Sequence, residues 1–112
     1  MKQGEIYLVN FPFSDISSTK KRPALLVGDI KGDNKIFIQI STKKKLTKNY
    51  QIELKKDESN GEVNFNSFLN CDMIFTLHKD LVLRKIADIH QNKFKEVQEK
   101  RINIISNNSK QY

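Results

Sequence analysis

Two apolar runs on either side of a turn signal constrain this chain most. "PALLVGDI" opens at Pro23 and "IFIQIS" at Ile36, and "KGDNK" lies between them. Gly32, Asp33 and Asn34 in that connector tolerate the positive φ of a tight turn. The second run is rich in β-branched and aromatic residues, so residues 24–41 read as a β-hairpin. The first run is almost unbroken in its apolar character. A strand of that kind needs cover on both faces, which makes it a buried strand. Pro23 has no N–H to donate and is expected at its strand's first position or on an edge.

The remaining segments follow the same logic. "EIYLVNF" (5–11) starts with polar–apolar alternation and predicts a strand. Residues 12–22 are polar and poor in helix formers, which predicts a loop. "TKKKLTKN" (42–49) reads as a basic surface loop, "YQIEL" (50–54) as a half-exposed strand and "KKDESNGE" (55–62) as a turn region. "VNFNSFLN" and "CDMIFTL" are either two short strands or one strand interrupted by a bend. A short turn at 78–80 and a strand over 81–87 follow. Phe94, Val97, Arg101, Ile104 and Ile105 recur at helical spacing and predict an amphipathic helix over 91–106. The expected architecture is mainly β with one α-helix, a small, strongly bent barrel with the helix packed against it. One domain covers 1–107 and a short polar tail covers 108–112.

Charge narrows the partners. Twenty Lys and Arg face thirteen Asp and Glu, a formal charge of +7, which favours a polyanion: nucleic acid or an acidic protein. The competing reading is a lysine-rich surface kept soluble by its charge. No apolar run approaches the ~20 residues of a membrane span, and residues 1–5 lack the apolar stretch of a signal peptide. The single Cys71 has no intramolecular partner and lies in an apolar run, which fits an inert core thiol in a reducing compartment. A soluble, cytoplasmic protein is expected.

Several chemistries lack their residues. There is no CxxC pair and no HExxH, and His78 and His90 lie far apart in sequence, so no metal site is expected. There is no P-loop, GxGxxG or nucleophile elbow, so no cofactor is expected. An enzyme built from this chain would work with Arg, Lys, hydroxyls and carboxylates.

"GEIYLVNFPFSDISSTKKRPALLVG" (4–28) resembles the opening of the MazF/PemK family of toxins from type II toxin–antitoxin systems. The matching pattern is Phe11, Pro12, Phe13, Ser14, Asp15, a small polar stretch, then Lys20, Arg22, Pro23, Ala24, Leu25 and Leu26. "FIQIST" resembles the family's second hydroxyl-bearing strand end. "NSFLNCDMIFTLHKDLVLRKIADI" resembles a later segment through Ser67, Thr76, Leu77 and Lys79. The likeness spans nearly the whole chain, and the first motif is the specific one. This chain differs in a first loop without glycine, and in Phe75 where many members carry Arg.

The resemblance implies an SH3-like barrel of the CcdB/PemK type with C-terminal helical cover, usually as a homodimer. It implies sequence-selective, metal-independent cleavage of single-stranded RNA, and a cognate antitoxin whose acidic tail covers the RNA groove. In such cleavage the 2′-OH attacks the neighbouring phosphorus and expels the 5′-oxygen. Arg22 suits the charge that develops, because its planar fork matches two phosphate oxygens and stays protonated. The family is usually assigned an Arg in proton transfer. Ser41 or Thr42 would hydrogen-bond the same phosphate, and a one-residue step reverses the face, so only one of them points inward.

The loop with Ser14, Asp15, Ser17, Ser18 and Thr19 would form a wall against RNA, although Asp15 also suits capping of that loop. Lys20, Lys21, Lys43 and Lys44, with Lys45 and Lys48, flank the two candidate positions and would track phosphates. Thr76 is a hydroxyl near the site or a plain strand Thr. His78 is a titratable group near neutral pH or a surface turn residue. Phe13 and Tyr50 are candidate base-stacking rings or ordinary packing. Two competing functions stand beside the ribonuclease: a catalytically silent RNA-binding relative, and a CcdB-like toxin that binds gyrase. A gyrase binder would not need an Arg facing a hydroxyl.

Overall fold

A computed structural model describes residues 1–12, 19–45, 50–63 and 66–108. Seven strands form one sheet: β1 (Glu5–Pro12), β2 (Thr19–Gly28), β3 (Asn34–Ser41), β4 (Gln51–Leu54), β5 (Ser59–Gly61), β6 (Ser67–His78) and β7 (Val82–Ile89). Short 3₁₀ turns cover Lys56–Glu58 and Lys79–Leu81, and the helix α1 spans Gln91–Asn108. The spatial order is β4-β6-β3-β2-β1-β7-β5, and every pairing is antiparallel. The edge strands β4 and β5 do not pair with each other, so among the described residues the bent sheet is barrel-like without closing into the expected barrel.

The apolar run at Pro23 explains the centre of the sheet. Alternate residues of β2 face opposite sides, and both sides are covered. Leu25 and Val27 enter one core cluster with Ile6, Ile38, Ile40, Leu69 and Cys71. Ala24 and Leu26 enter a second with Tyr7, Val9, Phe37 and Leu77. Leu25 and Leu26 are both fully buried, each stabilising the fold by about 1.5–3 kcal/mol. The β2–β3 hairpin expected over 24–41 is present.

Four expectations are corrected. Residues 19–22 are not loop: they belong to β2, where Lys20, Lys21 and Arg22 pair with Phe11, Asn10 and Val9. Pro23 therefore sits inside its strand. It is tolerated because the β1–β2 ladder runs through it unbroken while the β2–β3 ladder ends at Ala24↔Gln39. The missing donor falls on a locally unpaired side, an edge within the strand. The turn region 55–62 hides β5, which pairs with β7 through Ser59↔Ile89, Asn60↔Asp88 and Gly61↔Ala87. Ile105 is 61% exposed and off the helix stripe; Val97 is buried, with Phe94 and Ile104 packed beside it.

β6 is one strand with an irregularity. Its register against β3 jumps between Ile38↔Ile74 and Gln39↔Asn70, so residues 71–73 form a bulge with Cys71 turned into the core and Asp72 and Met73 exposed. The bend allows one strand to pair with β4 at its start and with β3 along its length. Lys93 fastens α1 to the sheet edge, reaching Glu58 at 2.9 Å and the Glu53 carbonyl at 3.3 Å. At the start of β1, Glu5 is buried against Lys85 (2.7 Å), the Tyr7 hydroxyl (2.9 Å) and the Lys2 backbone N–H. Cys71 is fully buried, and burial pushes its thiol up to about 11, well away from thiolate chemistry.

Candidate functional site

The early end of the β2–β3 ladder opens a groove. Beyond Ala24↔Gln39, β2 remains bound to β1 alone, and the β1–β2 arm projects past the end of β3. Extending the register would set Pro23 level with Ile40 and Arg22 level with Ser41. Between arm and strand end lies a cavity of about 320 Å³. Phe11, Lys21, Arg22 and Pro23 line it from the arm; Gln39, Ile40, Ser41, Thr42 and Lys43 line it from the other side. These segments are 16–32 residues apart in sequence, and the sheet makes them neighbours.

Strand alternation separates the two hydroxyls. Directly opposite residues of an antiparallel pair share a face, so Ser41 shares the face of Arg22 and of Gln39. Thr42 follows β3's last residue and lines the cavity from the turn. The Ser41 Oγ accepts a hydrogen bond from the Lys43 backbone N–H at 3.0 Å, which fixes the oxygen and leaves the O–H to donate. Arg22 is exposed, as are Lys21 and Lys43. Among the described lining residues there are three cations and no carboxylate, so the groove presents positive potential.

An amide chain braces this wall. Gln51 on β4 donates from Nε2 to the Lys43 carbonyl (3.1 Å) and to Asn70 Oδ1 (2.7 Å), and its Oε1 accepts from the Lys45 backbone N–H (2.9 Å). Asn70 Nδ2 in turn donates to Gln39 Oε1 at 2.8 Å. Behind the lining ring of Phe11 stands an aromatic row: Phe11 meets Phe75 edge-on at 4.9 Å, and Phe75 stacks on Phe37 at 5.8 Å. Phe75, standing where many resembling sequences carry Arg, thus packs against the lining Phe11. Among the described residues, no group of three or more His, Cys, Asp or Glu side chains gathers as a metal cradle.

Of the residues singled out in the sequence, Arg22, Ser41, Thr42, Lys21 and Lys43 line one cavity. Lys20 and Lys44 are exposed on the adjoining stretches. Thr19 pairs with Pro12 at the end of the arm. Ser14, Asp15, Ser17, Ser18, Phe13 and Lys48 lie outside the described residues. Thr76 and His78 are placed elsewhere: they pair with Ile36 and Asn34, at the opposite end of β3 from Ser41. At ~3.3 Å per residue, Ile36 and Ser41 lie about 17 Å apart along the strand. The His78 Nδ1 accepts from the Asp80 backbone N–H (3.1 Å), a capping role in an exposed turn. Ser67 is fully buried and does not line this cavity; with Pro23 and Ile40 it lines a neighbouring apolar one. Sequence reading missed Gln39, Phe11 and Pro23 as lining, because each looks like an ordinary strand residue until the ladder is seen to stop.

The comparisons agree with this architecture. An endoribonuclease from a mycobacterial species superposes with a TM-score of 0.72 at 12% identity, covering 93% of this chain and 89% of that one. A mycobacterial endoribonuclease in complex with its cognate antitoxin gives 0.72 at 13% identity, covering 93% of each. The Mycobacterium tuberculosis toxin MazF-mt6 gives 0.73 at 18% identity, covering 91% and 96%. Identities this low establish the shared fold. A search of curated proteins by sequence finds no match. A family model matches residues 2–105, and on that match the chain belongs to the PemK-like, MazF-like toxins of type II toxin–antitoxin systems.

Proposed function

We propose that this toxin is an endoribonuclease that cuts single-stranded RNA without a metal ion. The observation that supports the reading is the groove itself: Arg22 and Ser41 line one cavity together with Lys21 and Lys43. In the reaction the 2′-OH loses its proton and attacks the adjacent phosphorus. The P–O5′ bond breaks, the 5′-oxygen takes up a proton, and a 2′,3′-cyclic phosphate remains. No water or metal is consumed in that step.

Arg22 supplies charge to the phosphorane-like transition state, where a planar guanidinium can donate to two non-bridging oxygens. Ser41 donates its hydroxyl to the same phosphate, and Thr42 stands beside it. Lys20, Lys21, Lys43 and Lys44 hold the flanking phosphates, and the loop carrying Ser14, Asp15, Ser18 and Thr19 contacts the strand. Thr76 and His78 would meet RNA only where the strand extends along β3. An antitoxin with an acidic segment would compete for the same positive groove, and a symmetric homodimer acting in the cytoplasm completes the proposal.

The test is cleavage of a long single-stranded RNA in EDTA by wild type and Arg22→Ala. Discrete fragments ending in 2′,3′-cyclic phosphate, lost in the variant, are expected. RNA binding that depends on Arg22 without any fragments would remove the enzyme and keep an RNA-binding toxin.

A further inference from the structure

We infer that Gln39 is an RNA-contacting residue of this groove, its carboxamide held with the NH₂ toward the substrate by Asn70 and Gln51; the inference rests on the RNA reading above. The backbone decides the orientation. The Lys43 carbonyl can only accept and the Lys45 N–H can only donate. Gln51 bonds both, at 3.1 and 2.9 Å, so its Nε2 and Oε1 are assigned without ambiguity. Its Nε2 also donates to Asn70, which fixes the Asn70 oxygen there at 2.7 Å. The Asn70 nitrogen is then left to donate to Gln39 Oε1 at 2.8 Å. One polarity runs through all three amides, and it ends with the Gln39 nitrogen pointing away from Asn70.

That nitrogen has a use only in the groove. Gln39 lines the cavity and shares the face of Arg22 and Ser41. Its Nε2 has no hydrogen-bond partner among the described residues, while its oxygen is already taken. The strut is expensive in sequence terms: Asn70 is fully buried inside a strand, where a polar side chain is tolerated only with its bonds made. A buried Asn that spans two glutamines, one on the groove wall and one on the 42–45 segment, defines a fixed donor next to the cationic pair. A fixed N–H₂ donor selects acceptors, namely a phosphate oxygen, a ribose oxygen or a base carbonyl. An untethered glutamine would rotate to serve acceptors and donors alike.

The experiment measures binding of a single-stranded RNA carrying 2′-O-methyl groups, which removes the nucleophile, together with thermal melting. Gln39→Glu keeps an oxygen for Asn70 but turns the groove-facing donor into an acceptor. Its melting temperature should stay within about 2 °C of wild type, while affinity falls at least about tenfold. Gln91→Glu makes the same charge change at the start of α1 and should weaken binding less than about threefold. Gln39→Met removes the donor without adding charge and should also weaken binding, by about fivefold or more. Wild-type affinity in both Gln39 variants, with Arg22→Ala still weakened, overturns the inference and leaves the RNA reading standing. No RNA binding by wild type overturns both.

Discussion

The salt dependence of RNA binding tests whether the groove cations act where the fold places them. Lys21, Arg22 and Lys43 line the cavity. Each phosphate neutralised on a single strand contributes about 0.7 to the slope of log affinity against log salt, so these three cations together with Lys20 and Lys44 on the adjoining stretches predict a slope of about −3.5. Between about 50 mM and about 200 mM salt, affinity should then fall about 130-fold. Replacing Lys21 and Lys43 together by Gln leaves three contacts, with a slope of about −2 and a fall of only about twentyfold. The same charge change at Lys95 and Lys100 on α1 should leave the slope near that of wild type. The assay is fluorescence anisotropy with a labelled, 2′-O-methylated RNA at several salt concentrations. A groove double variant that keeps a slope near −3.5 would refute the placement. So would an α1 double variant that loses as much slope as the groove pair.

Three further outcomes follow from the same geometry. Ser41→Ala should lower kcat/KM for RNA cleavage about ten- to a hundredfold through loss of one bond to a charged group, whereas Thr42→Ala should cost less than about threefold; equal losses would show that strand alternation does not set the site hydroxyl. Burial alone would raise the pKa of Glu5, but the bonds from Lys85, the Lys2 N–H and Tyr7 outweigh it and hold the carboxyl at about 2 against an ordinary 4.5. A depressed carboxylate stabilises above its ordinary pKa and loses that contribution as pH falls through the window to about 2. The difference amounts to ~3 kcal/mol, trimmed to about 2 kcal/mol by solvent around the half-exposed Lys85. Urea unfolding of wild type and Glu5→Gln from pH 6 to pH 3 should therefore show the stability gap shrinking, and a constant gap would count against the network. Gly61 has φ +126°, and a Cβ there would lie 2.3 Å from the Ile86 carbonyl oxygen; Gly61→Ala should cost about 2 kcal/mol or detach β5, and an unchanged urea midpoint would disprove that constraint.

The sequence exposed some of this site and hid the rest for identifiable reasons. The hairpin was legible because "PALLV" and "IFIQIS" carry their β character locally and "KGDNK" marks the turn. Arg22 and Ser41 were legible as polar residues at the ends of those two runs. β5 was not, because Ser59, Asn60 and Gly61 have no strand character and are recruited by the free edge of β7. The strut was not, because Asn70 finds its partners 19 and 31 residues away, and nothing local distinguishes a satisfied buried Asn from a surface one. Gln39 likewise reads as a solvent-facing strand residue by alternation, and only the end of the ladder turns that face into a groove wall.

Pro23 links the two halves of the problem. Strand β2 must be apolar on both faces to hold the two core clusters together, and a groove needs charges and unpaired space at the same strand's end. A uniform strand cannot supply both, since continued pairing with β3 would bring Arg22 and Ser41 into the ladder and close the gap between them. Pro23 divides the strand: it keeps the β1 side of the ladder intact and has no donor for the β3 side. The three cations before it are therefore carried on an arm of the sheet and remain exposed. This is why Lys20, Lys21 and Arg22 stand directly against a buried run: the core that begins at Ala24 positions them, and the proline between keeps the sheet from closing over them.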